Sequence, residues 1–292
     1  AGELDNGYTW SYSMELDPTD ATDGGVATND DTKLTLTTPY GTFGVFVSEG
    51  GLDVEDGASQ SVYARPTDSG DPSSGTGDNF TIDGYNNLQY HTASGMLPFG
   101  TVIKVGYAPD LDDTINSGND KGSTESKSAT GEGRSMTAYQ VTATPIDGLT
   151  IGASYNEFDG AGLAKNDQEP ESGAAYIKYA QGPFSIGYSE ARKALLLADN
   201  VAATAVEGYE QKNYSIAYAA TDNLSFSYEV EEDTRQNVTA TTADVDQESK
   251  SIQAAYSIGG ATISAAMGTY DNVGWVSNKS IDQFLLAITM AF

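Results

Sequence analysis

His91 is the only histidine in the 292-residue chain, and there is no cysteine. Disulfide frameworks, cysteine-ligated zinc and thiol catalysis are therefore excluded, and so is a metal site built from several histidines. Acid–base catalysis would need His91 as its base, with an Asp or Ser beside it. His91 lies instead between a long connector and a short turn, and we expect no enzymatic activity.

Acidic side chains are the second chemically informative feature. The chain has 42 Asp and Glu against 14 Lys and Arg, a formal net charge of −28. This balance argues against nucleic acid as a partner, because phosphate binding needs clustered Lys and Arg. Asp110, Asp112 and Asp113 offer the oxygen ligands that Ca²⁺ prefers. Their spacing is not that of an EF-hand, and a solvated acidic loop is the alternative.

The segments that must position these residues alternate between apolar and small polar residues, a period typical of β-strands. No apolar run approaches the roughly 18 residues of a transmembrane helix. The first residues show no basic segment followed by an apolar one, so we expect no signal peptide in this sequence. We predict fourteen strands, at 8–17, 32–38, 42–48, 87–93, 100–108, 134–145, 149–158, 172–180, 184–193, 208–220, 224–233, 248–258, 261–270 and 281–292.

The connectors between these strands alternate in length. Short turns rich in Asp, Asn, Gly and Pro are followed by long connectors at 18–31, 49–86, 109–132, 159–171, 194–207, 234–246 and 271–280. The long connectors hold 27 of the 42 acidic residues and six of the 14 basic ones. Every predicted hairpin therefore has one tight end and one elaborate end, an asymmetry found in outer-membrane β-barrels.

Each predicted strand has an apolar face and a face of small polar residues. Aromatic side chains lie at or near the ends of the apolar faces, as in a lipid-facing band flanked by aromatic girdles. A soluble β-sandwich or β-solenoid would show the same parity, with the apolar face turned into a core. Segments of about ten residues, the alternating connectors and the terminal aromatic residue favour a membrane barrel. We predict an all-β fold, a single transmembrane antiparallel β-barrel over residues 1–292 with 14 strands in this sequence.

Several segments resemble a known family. The ending resembles the C-terminal assembly signal of outer-membrane β-barrels, carried by Phe284, Leu286, Ile288, Met290 and Phe292. Residues 5–10, the turn at 39–44 and connector 49–86 resemble the early strands and third loop of Gram-negative general porins, most closely the alphaproteobacterial type. The resemblance implies a sixteen-stranded, trimeric barrel in the bacterial outer membrane, whose third loop folds inward to narrow the pore.

The start of the sequence departs from that family. Leu4-Asp5-Asn6-Gly7 looks like one of the short turns, such as those at Asp147 and Asp222, yet only three residues precede Leu4. We expect two strands to be missing here relative to a sixteen-stranded parent chain, which the intact mass of the source protein would test. The alternative is a fourteen-stranded barrel in which Asp5 and Asn6 belong to a polar N-terminus.

The inward parity carries mainly Ser, Thr, Gly, Ala, Gln and Asn, which suits a water-filled lumen. The predicted function is passive diffusion of small hydrophilic solutes and ions, with a salt-sensitive cation preference caused by the acidic mouth. Opposed acids and bases in a constriction would add a transverse field. The candidate constriction acids are Asp53, Glu55, Asp56 and Asp68, and the candidate bases are Arg65, Lys33, Lys104, Arg134 and Lys178.

Other interpretations stay open from sequence alone. A substrate-specific porin should show lumenal aromatics or many lumenal bases, yet only Phe46, Tyr176 and Tyr270 have inward parity. A Ca²⁺-binding surface or adhesin protein without a pore would share the acidic loops. The expected partners are outer-membrane lipid and lipopolysaccharide, small polar solutes and two further copies of the chain, with Ala254 and Ala265 as interface candidates. No cofactor is expected, apart from Ca²⁺ at acidic loops.

Overall fold

The computed structural model describes residues 1–17, 28–68, 79–109, 111, 135–159, 168–195, 197, 206–238 and 244–290. Within them, fifteen strands form one antiparallel sheet in which each strand pairs with its neighbours in the chain. The strands are β1 (Gly2–Glu3), β2 (Thr9–Asp17), β3 (Thr28–Thr38), β4 (Gly41–Val47), β5 (Asn87–Thr92), β6 (Val102–Ala108), β7 (Ser135–Ile146), β8 (Leu149–Asp159), β9 (Glu171–Gln181), β10 (Phe184–Ala194), β11 (Val206–Thr221), β12 (Leu224–Asn237), β13 (Val245–Ile258), β14 (Ala261–Asp271) and β15 (Ile281–Met290). Short 3₁₀ helices occupy Glu55–Ala58, Ile82–Gly84, Pro98–Gly100 and Val273–Trp275.

All fourteen predicted strands are confirmed, with ends that differ by four residues or fewer. The structure adds β1, whose two residues are too few to show a period. Glu3 pairs with Thr9, and the backbone N–H of Leu4 donates to the carbonyl of Tyr8 at 2.7 Å. Residues 4–8 therefore form a tight turn between two strands, in which Gly7 adopts a positive φ of 80°. The sixteen-strand count of a parent chain stays a prediction.

The two faces of the sheet have opposite characters. Large apolar side chains on one face are exposed, for example Ile252 at 57% and Phe284 at 64%. The other face buries polar side chains, and Glu229 and Gln247 are 0% exposed. A soluble sandwich would bury its apolar face, so this distribution contradicts the sandwich alternative. We call the polar face the inner face and the apolar face the outer face.

The register of β10 to β15 aligns the outward side chains in rows. One apolar row consists of Ile186, Ile216, Tyr228, Ile252, Met267 and Phe284, each opposite the next. About 13 Å further along β10, the corresponding row is Glu190, Lys212, Glu232, Glu248 and Asp271. The rings of Tyr188 and Tyr214 lie between these rows, with centroids 5.0 Å apart. The outer face therefore ends in aromatic residues and then becomes charged, as at the edge of a lipid-facing band.

Short turns join the strands at one end of the sheet, the turn end, and long connectors join them at the other, the loop end. Across the described ranges, β1 and β15 form the two edges of the sheet and are not paired with each other. Of the described helices, none is long and apolar enough to cross a membrane.

Candidate functional site

Connector 49–86 folds against the inner face of the sheet. Many of its backbone carbonyls accept hydrogen bonds from wall side chains, and six of these bonds, at 2.5 to 3.1 Å, mark its path: Gly50 from Gln89, Leu52 from Gln140, Glu55 from Ser189, Ala58 from Ser215, Ala64 from Gln253 and Pro66 from Tyr270. The donors lie on β5, β7, β10, β11, β13 and β14. The connector thus runs across most of the inner face. Its backbone forms no strand, and side chains of the wall supply the hydrogen bonds that a neighbouring strand would otherwise provide.

Glycines on the inner face allow this close approach. A Cβ on Gly187 of β10 would lie 2.7 Å from the carbonyl carbon of Ala58, and closer still to its oxygen. The ring of Tyr176 lies between Gly152 on β8 and Gly57 in the connector, with its Cζ 2.9 Å and 2.8 Å from where their Cβ atoms would be. The path of the connector therefore depends on wall positions without a side chain.

Arg65 holds the described part of the connector together by charge. Its guanidinium is ion-paired with Asp56, lies 3.0 Å from the carboxylate of Asp68 and 3.5 Å from Glu231 on β12. Thr67 adds a hydroxyl and an N–H, which donate to Glu231 at 2.7 Å and 3.0 Å. Arg65 is only 6% exposed, so this candidate constriction base is buried against three acids and does not face open water.

Glu229 and Glu231 are inner-face acids that the sequence reasoning did not include among its candidates. Both are 0% exposed on the inner face of β12. The hydroxyls of Ser59 and Ser61 donate to Glu229 at 2.7 Å and 2.6 Å, and the amide of Asn213 donates at 2.5 Å. The wall beneath this part of the connector is therefore acidic. Strand parity puts both residues on the inner face, but it does not identify which inner residues the connector covers.

An apolar cluster fills part of the inner face near the loop end. Leu52, Phe80 and Ile82 from the connector pack with Met136 on β7 and Phe158 on β8, and each is at most 4% exposed. The rings of Phe80 and Phe158 meet edge to face, with centroids 4.8 Å apart. The expectation of a mainly polar, wet inner face is therefore too simple here. Its sequence signal was the inward parity of Met136 and of Phe158, which the count of only three inward aromatic residues wrongly left out.

The segment between β14 and β15 also folds inward. The Trp275 indole N–H donates to the backbone oxygen of Asp233 at 3.0 Å, and its ring lies 5.1 Å from that of Tyr209. The backbone N–H of Gly274 donates to the side chain of Gln247 at 2.8 Å. Two connectors thus cover the loop end of β11 to β14 on the inner face.

The remaining candidate bases lie elsewhere on the inner face. Lys33 is ion-paired with Glu49 at the root of the connector. Lys104 on β6 is opposite His91 on β5, whose Nε2 lies 2.7 Å from Gln89 Oε1. Lys178 on β9 lies over the ring of Tyr176, 5.9 Å from its centroid. No ion pair joins Lys104 or Lys178 to any residue of the described chain.

The four candidate acids lie in three different surroundings. Asp56 and Asp68 share Arg65, while Asp53 lies near Asp83 at the root of the connector. The carboxylate oxygens of Asp53 and Asp83 lie 3.1 Å and 3.0 Å from where a Cβ of Gly51 would be. Burial raises the pKa of Asp83 and the charge of Asp53 adds to the rise, partly offset by the hydroxyl of Thr81, which donates at 2.5 Å. Glu55 is buried within its 3₁₀ helix.

Some predicted residues lie outside the described residues: Arg134, Asp110, Asp112, Asp113 and Phe292. No group of three metal-ligating side chains occurs in the part of the chain that the structure describes. The described members of the assembly signal, Phe284, Leu286, Ile288 and Met290, form the outward face of β15.

No protein-family model and no curated protein matches the chain. Solved structures do match. An anion-selective porin from Comamonas acidovorans is 11% identical, covers 100% of this chain and 87% of its own, and has a TM-score of 0.63. A porin refined at 1.8 Å resolution is 16% identical, with 99% and 89% covered and a TM-score of 0.58.

A third match is OmpT in its trimer form, an outer membrane protein of Vibrio cholerae. It is 15% identical, with 98% of this chain and 85% of that chain covered, and a TM-score of 0.54. The chain has a porin-type fold. At these identities the likeness extends to the fold alone, and the subtype is a separate question.

Proposed function

We propose that the chain is an outer-membrane channel of a Gram-negative bacterium that passes small hydrophilic solutes and ions by diffusion. The observation that carries this proposal is the distribution of side chains on the sheet, which is the reverse of that in a soluble protein. Apolar side chains are exposed on the outer face, and polar side chains lie on the inner face, which the connector crosses. A porin-type fold gives such a sheet a lipid-facing exterior and a lumen. The exposed outer face gives no support to a water-soluble adhesin.

Space on the turn-end side of the connector supports a wet lumen. A cavity of about 650 Å³ lies there, lined in part by Gln60, Thr150 and Lys178. At roughly 30 Å³ per liquid water, this volume holds about twenty waters. The lining mixes polar residues with apolar ones such as Ile146 and Leu149, and Tyr179 is the one aromatic residue among its described members, so unspecific passage is favoured over a sugar-specific path.

Cation preference is the finer part of the proposal. The acidic long connectors at the loop end raise the local concentration of cations and repel anions. The matched porin from Comamonas acidovorans is described as anion-selective, so fold alone does not set the sign of selectivity. In this chain the formal charge of −28 argues for cations.

A homotrimer in contact with lipid and lipopolysaccharide is the proposed assembly. One matched structure is a trimer form, and Ala254 and Ala265 are direct partners on the outer face of β13 and β14, where small side chains permit close packing. The alphaproteobacterial subtype and Ca²⁺ binding at Asp110, Asp112 and Asp113 also stay predictions.

Single-channel recording in planar lipid bilayers tests the proposal. We expect stepwise conductance increases, in groups of three for a trimer, and a cation-favouring reversal potential in a KCl gradient that weakens at high salt. Folded, detergent-solubilised protein that never conducts would overturn the channel proposal. Conductance with an anion-favouring potential would overturn the cation preference alone.

A further inference from the structure

The inner face carries two zones of opposite charge in series. At the level of the connector, half-buried or exposed acids include Asp53, Asp56 and Asp68, with one arginine among them. Most of the other acids of the chain belong to the long connectors of the loop end. The described members of this acidic zone lie at the level of the connector, on the loop-end side of the lumen.

The turn-end side of the connector has a different composition. The connector contacts β5 at Gln89 and β9 at Tyr176, and the next inward residues towards the turns are His91 and Lys178. Lys104 has the same position on β6, opposite His91. In the described strands β2 to β15, no Asp or Glu lies inward on this side of the connector, where Ser, Thr and Ala prevail.

Two exposed acids border this chamber. Glu3 on the edge strand β1 is opposite the inward Thr9, and Asp147, in a turn, lines the cavity that contains Lys178. Lys104 and Lys178 are three strands apart, or about 14 Å along the wall at 4.8 Å per strand. In about 0.1 M salt the Debye length is about 10 Å, so their fields overlap in the lumen.

We propose that Lys104 and Lys178 form an anion-attracting zone between the connector and the turn end, in series with the acidic mouth, and that the channel therefore rectifies ion current. The inference rests on the proposed channel function. With one polarity, cations enter through the acidic zone and anions through the basic zone, so both accumulate where the zones meet. With the other polarity both are drawn away, and the junction is depleted of carriers.

Single-channel currents at equal positive and negative voltages test this zoning. Wall potentials of one or more kT change local ion concentrations severalfold, so we expect a current ratio of roughly 1.5 or more in dilute KCl. The ratio should approach unity in about 1 M KCl, where the Debye length is about 3 Å. Recording single insertions prevents the two insertion directions, which give inverse ratios, from averaging out, and the ratio is taken as the larger current over the smaller.

Charge-removing variants assign the effect to its residues. The double variant Lys104→Gln/Lys178→Gln should conduct, lose the rectification and show a reversal potential further towards K⁺. Lys212→Gln is the control for each lysine, because it removes one positive charge from the outer face of β11 and should leave the ratio unchanged. Asp147→Asn should increase the ratio, because it removes a negative charge from the rim of the basic zone.

Each outcome has a distinct meaning. A linear, cation-favouring current in the wild-type protein would overturn the zoning while leaving the channel function intact. Rectification that persists in the double lysine variant would also overturn it. Folded protein with no current at all would contradict the proposed channel function on which the inference rests.

Discussion

Gly187→Ala tests whether the connector rests directly on the wall of β10. The added Cβ would lie 2.7 Å from the carbonyl carbon of Ala58 and 2.9 Å from the hydroxyl of Ser215, where ordinary contacts begin at 3.4 Å. The connector must therefore move inward by at least about 0.7 Å. That shift lengthens the hydrogen bond from Ser215 to the Ala58 carbonyl, now 2.8 Å.

The expected free-energy change follows from these terms. Overpacking costs about 1–3 kcal/mol, and a weakened hydrogen bond adds about 1 kcal/mol. Replacing glycine by alanine restricts the unfolded chain and returns about 0.4–1 kcal/mol. We expect a net loss of roughly 1–3.5 kcal/mol of stability, together with lower single-channel conductance because the connector is displaced away from the wall.

Thermal unfolding in detergent, followed by circular dichroism, and conductance in bilayers measure the two effects. Gly173→Ala on β9 is the matched control, since its nearest neighbours would lie 3.3 Å and 3.5 Å from the new Cβ. Wild-type stability and conductance in Gly187→Ala would refute the close seating of the connector.

Three further predictions concern charge and lipid contact. Arg65→Gln should lower stability by about 3 kcal/mol. This is the low end for a broken buried ion pair, because Glu231 is the only one of its three acidic partners that is fully buried. The variant should also shift the reversal potential towards K⁺, and an unchanged potential would argue against a lumenal role for this cluster. Asp83→Asn should unfold at the same temperature as the wild type near pH 3 and be more stable than the wild type at pH 7. The raised pKa of Asp83 favours folding at pH values below the ordinary aspartate pKa of 3.8, and that stability is lost as the pH rises through the folded-state pKa. Equal unfolding midpoints of variant and wild type at both pH values would contradict this. Ile252→Lys should cost about 2–4 kcal/mol in a lipid bilayer, whereas Ser225→Lys, on the inner face of β12, should cost much less, and equal costs would contradict the assignment of the two faces.

The strands were predictable because successive residues of a membrane-barrel strand face two different environments in turn. Ile252 contacts the outside and Gln253 the inside, and that alternation appears directly in the sequence. The turn at Leu4–Gly7 was predictable from its likeness to other turns, although the two-residue β1 was not. Local pattern therefore accounts for the sheet and its faces.

The site was less predictable because its contacts join distant parts of the chain. Ser61 and Glu229 are 168 residues apart, and nothing in strand parity identifies Glu229 as the residue that the connector covers. Arg65 illustrates the same limit: its charge was visible, but its burial against Asp56, Asp68 and Glu231 depends on the path of the connector. The inward direction of that path came from resemblance alone.

The contacts of the connector bear on whether it is a gate or a fixed part of the wall. Three kinds of contact hold the connector against the wall: close packing against wall glycines, hydrogen bonds to buried carboxylates and an apolar cluster. Local opening would break all three at once. We expect a fixed wall. The chain has no cysteine, so the double variant Val62→Cys/Ser227→Cys offers a clean test.

The backbone N–H of Val62 donates to the hydroxyl of Ser227 at 3.0 Å, which places the two Cα atoms within about 7 Å, at the limit for a disulfide. Bond formation is checked by thiol counting on the denatured protein, with each single-cysteine variant as control. Oxidised and reduced protein should then show the same conductance and the same frequency of closure. Closures that disappear on oxidation and return on reduction would identify the connector as a moving gate.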